Sequence, residues 1–414
     1  MGSMIHLSVG RLEIDWGQNH IFSDHSQLFQ SSDLAQIPYY YVDEQDPYKV
    51  DEHEDEYNLI TELKDGLSKP LSEVIDRTEL LGYTLKYARH EFESLSKMHE
   101  LDPTKFRFED LAGALATVDV QSMSADYGEG EGFGKFFRRQ IFDRLGFKDT
   151  INDPHYVKFH SGEAMENLSA CTILQLIAQN PLARGLPVNW HFADVEDERW
   201  AGRDAFIKPL DPSDRFLIVT EGSSDARILD HAFRLLKPHI ADFFYFVDMD
   251  EGYPFTGTGN LYNFTKGLIA ISIQNNVVVV YDNDAEGVLN YNRTAKLNVP
   301  DNLRVLRLPD LLELREFNTI GPSGKSKSDI NGRAASIECY LDVGEDAIVQ
   351  WNNFNKVLGV YHGELITKRD IMKTFLRQSE VGGDYDFSKV AAILEMVVSE
   401  CIAMTESARL ASLE

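Results

Sequence analysis

The sequence predicts an α/β protein: a parallel sheet of about four strands flanked by helices over residues 213–345, preceded by a largely helical α+β module over 1–208 and followed by a helical C-terminal extension over 346–414. Three observations lead there. Short apolar runs of strand length, at 216–219, 243–247, 277–281 and 303–308, alternate with amphipathic helical stretches at 225–236, 261–274 and 287–296. Strands that are apolar along their whole length are covered on both faces, and strand–helix alternation makes them parallel. The two prolines of Pro209-Leu-Asp-Pro-Ser213 mark a boundary. Upstream of it, apolar residues mostly follow helical spacing.

The elements follow in order. Ile5, Leu7 and Val9, then Leu12 and Ile14, alternate with polar residues and are strand-like. Asp43, Glu44, Asp46, Asp51, Glu52, Glu54, Asp55 and Glu56, interrupted by Lys49, read as a solvated loop. Residues 70–98 turn helical, with Leu80, Leu81, Leu85, Ala88 and Phe92 on one face. Segments 106–118 and 165–178 also read as helices, and the glycine-rich Tyr127-Gly-Glu-Gly-Glu-Gly-Phe-Gly134 as a loop whose spacing is not that of a dinucleotide-binding turn. The tail from Tyr361 to Ala411 is helical again.

Composition narrows the functional classes. Of 414 residues, 43% are hydrophobic and 26% charged, which suits a globular protein of about two or three domains. No apolar run reaches the roughly 18 residues of a membrane span, and the N-terminus shows no basic flank followed by an apolar core. Cys171, Cys339 and Cys401 form no CxxC pair, which disfavours a zinc site or a disulfide framework. A reducing cytoplasm is therefore the expected setting. The net charge of −27 excludes a protein that coats nucleic acid through overall charge. A polyanion would have to bind at a local basic patch, through divalent metal, or with a basic partner.

The acids stand where a parallel sheet binds ligands, beyond the carboxyl ends of its strands. The first strand runs into Thr220-Glu221-Gly222, where Gly222 is read as permitting close backbone approach. Asp225 follows in the first turn of the helix, a position that also suits the helix dipole. The third strand runs into Asp282-Asn283-Asp284-Ala285-Glu286-Gly287, and the spacing of two lets Asp282 and Asp284 share a side. Two full charges about 4 Å apart repel by roughly 4 kcal/mol at an effective dielectric near 20, so converging carboxylates call for protons or cations. Oxygen donors without histidine or cysteine favour Mg²⁺ or Mn²⁺.

Glu221-Gly-Ser-Ser-Asp225 together with Asp282-Asn-Asp-Ala-Glu-Gly287, about sixty residues apart, resembles the Toprim domain of topoisomerases, bacterial primases and a set of nucleases. The extra acid Asp225 is similar to the EGxxD form of the overcoming-lysogenization-defect nucleases. Residues 332–341, read as a helix, are similar to the segment of those nucleases that carries another glutamate, here Glu338. The resemblance implies one or two Mg²⁺ or Mn²⁺ ions held by Glu221, Asp225, Asp282 and Asp284, with Glu338 as a fifth ligand, and Glu221 doubling as general acid/base. Lys368 or Lys373 is a candidate to stabilise charge on phosphate.

Upstream, Gly10-Arg-Leu-Glu-Ile-Asp-Trp16, Phe22-Ser-Asp-His-Ser-Gln-Leu-Phe29 and Leu80-Leu-Gly-Tyr-Thr-Leu-Lys-Tyr-Ala-Arg89 resemble the N-terminal module of HEPN/Toprim-associated bacterial proteins. Active HEPN ribonucleases carry Arg-x4–6-His on a helix. Arg184 to His191 has the spacing but contains Gly185 and Pro187, and Arg234 to His239 is broken by Pro238. The module is therefore expected to be catalytically silent, serving assembly or sensing.

The resulting expectation is a metal-dependent nuclease acting on DNA or RNA in bacterial anti-phage defence, homo-oligomeric, with any ATPase or sensor supplied by a separate chain. The length leaves no room for a tyrosine-bearing topoisomerase domain, and a primase's zinc-ribbon cysteines are missing. The rival is a non-catalytic regulatory or scaffolding subunit. For nucleic acid, Lys135, Arg138, Arg139 and Arg144 form a basic strip, and Lys325 and Lys327 are candidates for phosphate contact in a Ser/Lys-rich loop. Gly321-Pro-Ser-Gly-Lys-Ser326 is an incomplete phosphate-binding loop, with Thr319 where the leading glycine belongs. Thr256-Gly-Thr-Gly-Asn260 is a weaker anion-site candidate, and Asp248 and Asp250 are a second-choice acid pair.

Overall fold

The structure is a computed structural model that describes residues 2–42, 59–101, 104, 106–117, 119–120, 165–247 and 258–413. The chain forms two compact units, Met1–Pro209 with Thr405–Glu414, and Leu210–Met404.

In the first unit, β1 (Met4–Val9) and β2 (Leu12–Gln18) form the hairpin expected from their alternation. Its turn uses Gly10 at φ +54°, a conformation that favours glycine. Three further strands were hidden in the local pattern: β3 (Leu34–Val42), β4 (Leu59–Pro70) and β5 (Pro187–His191). They complete an antiparallel sheet in the order β2-β1-β5-β4-β3. The β4 sequence carries charges, Gly66 and Pro70, all poor strand signals. Nine register pairs with β3 supply what propensity does not. A sheet is thus central to the described part of a module that was read as largely helical.

The helical stretch read over 70–98 is two helices, α1 (Leu71–Leu80) and α2 (Leu85–Met98). Gly82, at φ +87°, ends the first, and the Thr84 side chain accepts the Tyr87 amide to start the second. With α3 (Phe108–Leu115) and α4 (Ala170–Ile177) they share one core with the sheet, while α5 (Ala193–Asp197) follows β5. Arg77 is wholly buried and donates to the carbonyls of Gln27 and Phe29 at 3.0 and 3.1 Å.

The second unit opens with the α/β pattern. Its elements are β6 (Phe216–Val219), α6 (Ser223–Leu236), β7 (Phe244–Phe246), α7 (Thr258–Ala270), β8 (Asn276–Tyr281), β9 (Asn283–Asp284), α8 (Ala285–Thr294) and β10 (Leu303–Arg307). The four apolar runs are the four strands of a parallel sheet ordered β10-β8-β6-β7. From β6 the chain proceeds to β7 on one side; from β8 it proceeds to β10 on the other. The winding reverses between β6 and β8, where such sheets open a crevice.

A second sheet, β12-β11-β14-β15, comprises β11 (Phe317–Gly321), β12 (Gly324–Ser328), β14 (Val349–Asn355) and β15 (Val360–Leu365). The short β13 (Ala334–Ala335) pairs with β9. Helices α9 (Lys368–Phe375) and α10 (Ser388–Ala411) follow, the second unit ending within α10 at Met404. Three sequence readings are corrected here. The tail is not helical from Tyr361: a hairpin turned at Gly359, φ +70°, carries residues 349–365. Residues 346–404 belong to the second unit. The segment read as a Ser/Lys-rich loop is a tight hairpin, with Gly321 opposite Gly324, so the incomplete phosphate-binding motif is set in a paired ladder.

Candidate active site

The site grows from the ends of β6 and β8. Val219 pairs with Val279, and just beyond this the Asp282 amide donates to Glu221 Oε1 at 3.1 Å. The Thr220 hydroxyl donates to the Gly222 carbonyl at 2.9 Å and shapes the turn. Gly222 itself is ordinary extended backbone at φ −153°, and a Cβ there would stand 3.7 Å from Ser224 Oγ. The close approach expected at Gly222 is absent, because α6 starts without crowding it. Asp225 caps that helix, accepting the Gly222 amide at 3.2 Å and the Ser224 hydroxyl at 3.0 Å.

After β8 the chain leaves the sheet through Asp282, Asn283 and Asp284. Alternation sends Asn283 to the opposite side from the two aspartates. There it is fully buried: its amide donates to Asp310 at 2.9 Å and to Tyr340 Oη at 3.2 Å, while its carbonyl oxygen accepts from Arg307 at 2.8 Å and the Gly332 amide at 2.9 Å. Asp284 caps α8, accepting the amides of Glu286 and Gly287 at 2.9 and 2.7 Å. Gly287 has a steric reason to be glycine: a Cβ would lie 2.2 Å from the Asp282 carbonyl oxygen.

Glu338 arrives on a different element from the one expected. Residues 332–341 are not one helix but β13 followed by a 3₁₀ turn, Ile337–Tyr340, because β13 is drawn into pairing with β9. The Ile337 amide donates to Asp282 Oδ1 at 3.0 Å, and the Ser336 hydroxyl holds the buried Glu338 carboxylate at 2.7 Å. Lys368, the first residue of α9, is half-buried, with Nζ 3.5 Å from Glu364.

These groups share one electrostatic neighbourhood. Burial, then the charges of Asp284 and Asp225, push the Glu221 carboxyl up to about 9. Burial and then Glu338 push Asp225 up to about 7. Asp282 is held far above the carboxylate range by burial, then by Asp225, Glu221, Asp284 and Glu338. Burial works against the Lys368 ammonium, but Glu338, Asp282 and Glu364 outweigh it and keep its proton bound above the usual lysine range.

Among the described residues, no three His, Cys, Asp or Glu side chains stand in a coordinating cluster as placed. Several carboxylate oxygens are turned onto backbone amides instead. The donor chemistry still suits a hard divalent ion: oxygen ligands that repel one another and hold protons tightly gain from a cation among them. His362 was missed by the sequence reading. Its Nδ1 has no hydrogen-bond partner among the described residues and lies 4.0 Å from Asp284 Oδ2. Asn283 and Ser336 were missed as well, since nothing local distinguishes them from other polar residues.

Other candidates lie elsewhere. Lys325 and Lys327 are exposed on β12, in an ordered strand rather than a loop. His191 sits on β5, so the spacing from Arg184 is not helical. Lys135, Arg138, Arg139, Arg144, Asp248, Asp250, Thr256, Gly257 and the acidic stretch 43–56 fall outside the described residues.

Residues 1–214 match the family HEPN/Toprim N-terminal domain 1. No curated protein and no solved structure matches the chain.

Proposed function

The chain belongs to the HEPN/Toprim N-terminal domain 1 family, and from that premise we propose that its second unit is a Toprim-type, Mg²⁺- or Mn²⁺-dependent nuclease. In this reading it resembles the overcoming-lysogenization-defect enzymes and hydrolyses phosphodiester bonds of foreign DNA or RNA in anti-phage defence. One observation carries the reading: Glu221 with Asp225, Asp282 with Asp284, and Glu338 come from three separate stretches of chain that are joined at the sheet's point of reversal, where Glu221 accepts the Asp282 amide and Asp282 accepts the Ile337 amide.

Glu221, Asp225, Asp282 and Asp284 would hold the ion or ions, with Glu338 as a further ligand. Bound there, a divalent ion supplies charge neutralisation and an activated water for in-line displacement. Glu221 is the group to accept and return a proton, the role that the Toprim resemblance gives to the glutamate at this strand end. Lys368 is the fixed positive charge for a non-bridging phosphate oxygen. Asn283 acts from behind, holding the loop that carries both aspartates. The first unit serves assembly or sensing.

The test is incubation of the purified chain with plasmid, single-stranded DNA and tRNA in Mg²⁺, Mn²⁺ or EDTA. Cleavage with metal, lost in Asp282→Ala, is the expected result. A second reading, a non-catalytic regulatory or scaffolding subunit, draws on the charge of −27 and on the carboxylates' engagement with backbone amides. Absence of cleavage by folded protein under every metal condition would select it.

A further inference from the structure

The second sheet of the Leu210–Met404 unit has one face whose residues can be followed strand by strand. Lys325 on β12 pairs with Ile320 on β11, Ile320 with Gln350 on β14, and Gln350 with Glu364 on β15. Cross-strand partners share a face, so these four form one row. Lys327, two residues from Lys325, lies on the same face. So does His362, two residues from Glu364. On the opposite face Thr319 is buried and meets Ser326 and Ser328 through hydroxyl contacts.

The row ends at the carboxylates. Glu364 stands 3.5 Å from Lys368 Nζ, and His362 Nδ1 stands 4.0 Å from Asp284 Oδ2. At the far edge, Lys325 and Lys327 are exposed, and neither forms a salt bridge among the described residues. That is notable in a chain with 67 acidic and 40 basic residues, where an exposed lysine has many possible partners. Four adjacent strands span about 14 Å, the axial length of roughly four nucleotides of one strand.

We infer that this face is the track for the substrate backbone: a single phosphodiester strand crosses from Lys325 and Lys327, over Gln350, to Lys368 and the carboxylates. The assignment deepens the nuclease reading and rests on it for the direction of the track. It also explains how so acidic a protein engages a polyanion, by two unpaired cations at the entrance rather than by overall charge. The occupant is identified by charge complementarity and by continuity with the acid cluster. DNA and RNA present the same phosphodiester chemistry there.

The test is a binding measurement on the full chain in Ca²⁺, using fluorescence anisotropy with 12-nucleotide single-stranded DNA and RNA of the same sequence. Lys325→Glu combined with Lys327→Glu is expected to weaken binding at least tenfold and to lower the salt slope by about 1.4, at about 0.7 per lost phosphate contact. The control, Lys266→Glu with Lys296→Glu, makes the same charge change away from the track and is expected to shift binding less than threefold. Unchanged binding in the first pair, equal loss in both pairs, or no binding of either oligonucleotide by the unaltered chain overturns the track. A changed oligomeric state in the first pair, without loss of oligonucleotide binding, would make the face an interface between copies and overturn it too. Binding that depends on Lys325 and Lys327, without cleavage in Mg²⁺ or Mn²⁺, keeps the track and rejects the nuclease. Cleavage that is indifferent to them does the reverse.

Discussion

The Asp282 amide donates to Glu221 Oε1 across 61 residues of sequence, joining the ends of the two strands between which the sheet reverses its winding. The bond fixes one carboxylate against the backbone of another acidic residue. The bond favours the Glu221 charge, but burial and the charges of Asp284 and Asp225 resist it more strongly.

Replacing Glu221 with Gln separates chemistry from architecture. The amide keeps an oxygen to accept the Asp282 N–H and mimics the protonated acid. Metal-dependent cleavage is expected to fall by about 100-fold or more, the range for loss of a general acid/base. The Tm without metal at pH 8 is expected to stay level or rise. A large fall in Tm would make Glu221 a structural residue instead.

Stability without metal should decline as pH rises. Both Glu221 and Asp225 bind their protons more tightly in the folded chain than the ordinary values of 4.5 and 3.8. Their stabilisation is therefore complete below about pH 4 and is lost upward through about 7 for Asp225 and about 9 for Glu221, since the folded state then holds more protons than the unfolded one. Thermal melts in EDTA from pH 5 to 9 should trace that decline. Added Mn²⁺ should raise Tm more at pH 8 than at pH 6, because binding displaces protons. A melt profile flat with pH and blind to Mn²⁺ would contradict the mutual repulsion of these carboxyls.

The two glycines of the acidic turns should behave differently. Gly287→Ala drives a methyl into the Asp282 carbonyl and is expected to cost about 1–3 kcal/mol. Gly222→Ala, in open extended backbone, is expected to stay within about 0.5 kcal/mol. Urea melts of the two variants decide it, and equal effects would mean that the turn at Asp282 is misplaced.

Asn283→Ala removes the hub behind the aspartates. Arg307 and the Gly332 amide lose an acceptor, and Asp310 and Tyr340 lose a donor. Each buried group left unpaired costs about 1–3 kcal/mol, so a loss of at least about 2 kcal/mol is expected, together with a weaker Mn²⁺ effect on Tm. Full retention of both would show that the loop holds its shape without Asn283.

The chain's local pattern was enough for the parallel sheet, because strands covered on both faces are apolar along their whole length. It was also enough to locate Glu221 and Asp282 just beyond strand ends, with Asp225 and Asp284 at the starts of the helices that follow, since acids soon after such a run are visible without coordinates. It could not supply β3, β4 and β5, or the sheet of β11, β12, β14 and β15. Those strands carry charges, glycines and exposed polar faces, and their stability comes from partners distant in sequence. Nor could it show that Glu338 reaches Asp282 through a short turn, that Gly287 and not Gly222 is sterically required, or that His362 faces Asp284. Such relationships are contacts between separate elements. They are set when β13 pairs with β9 and β15 lies alongside, and no single stretch of sequence contains both sides of the contact.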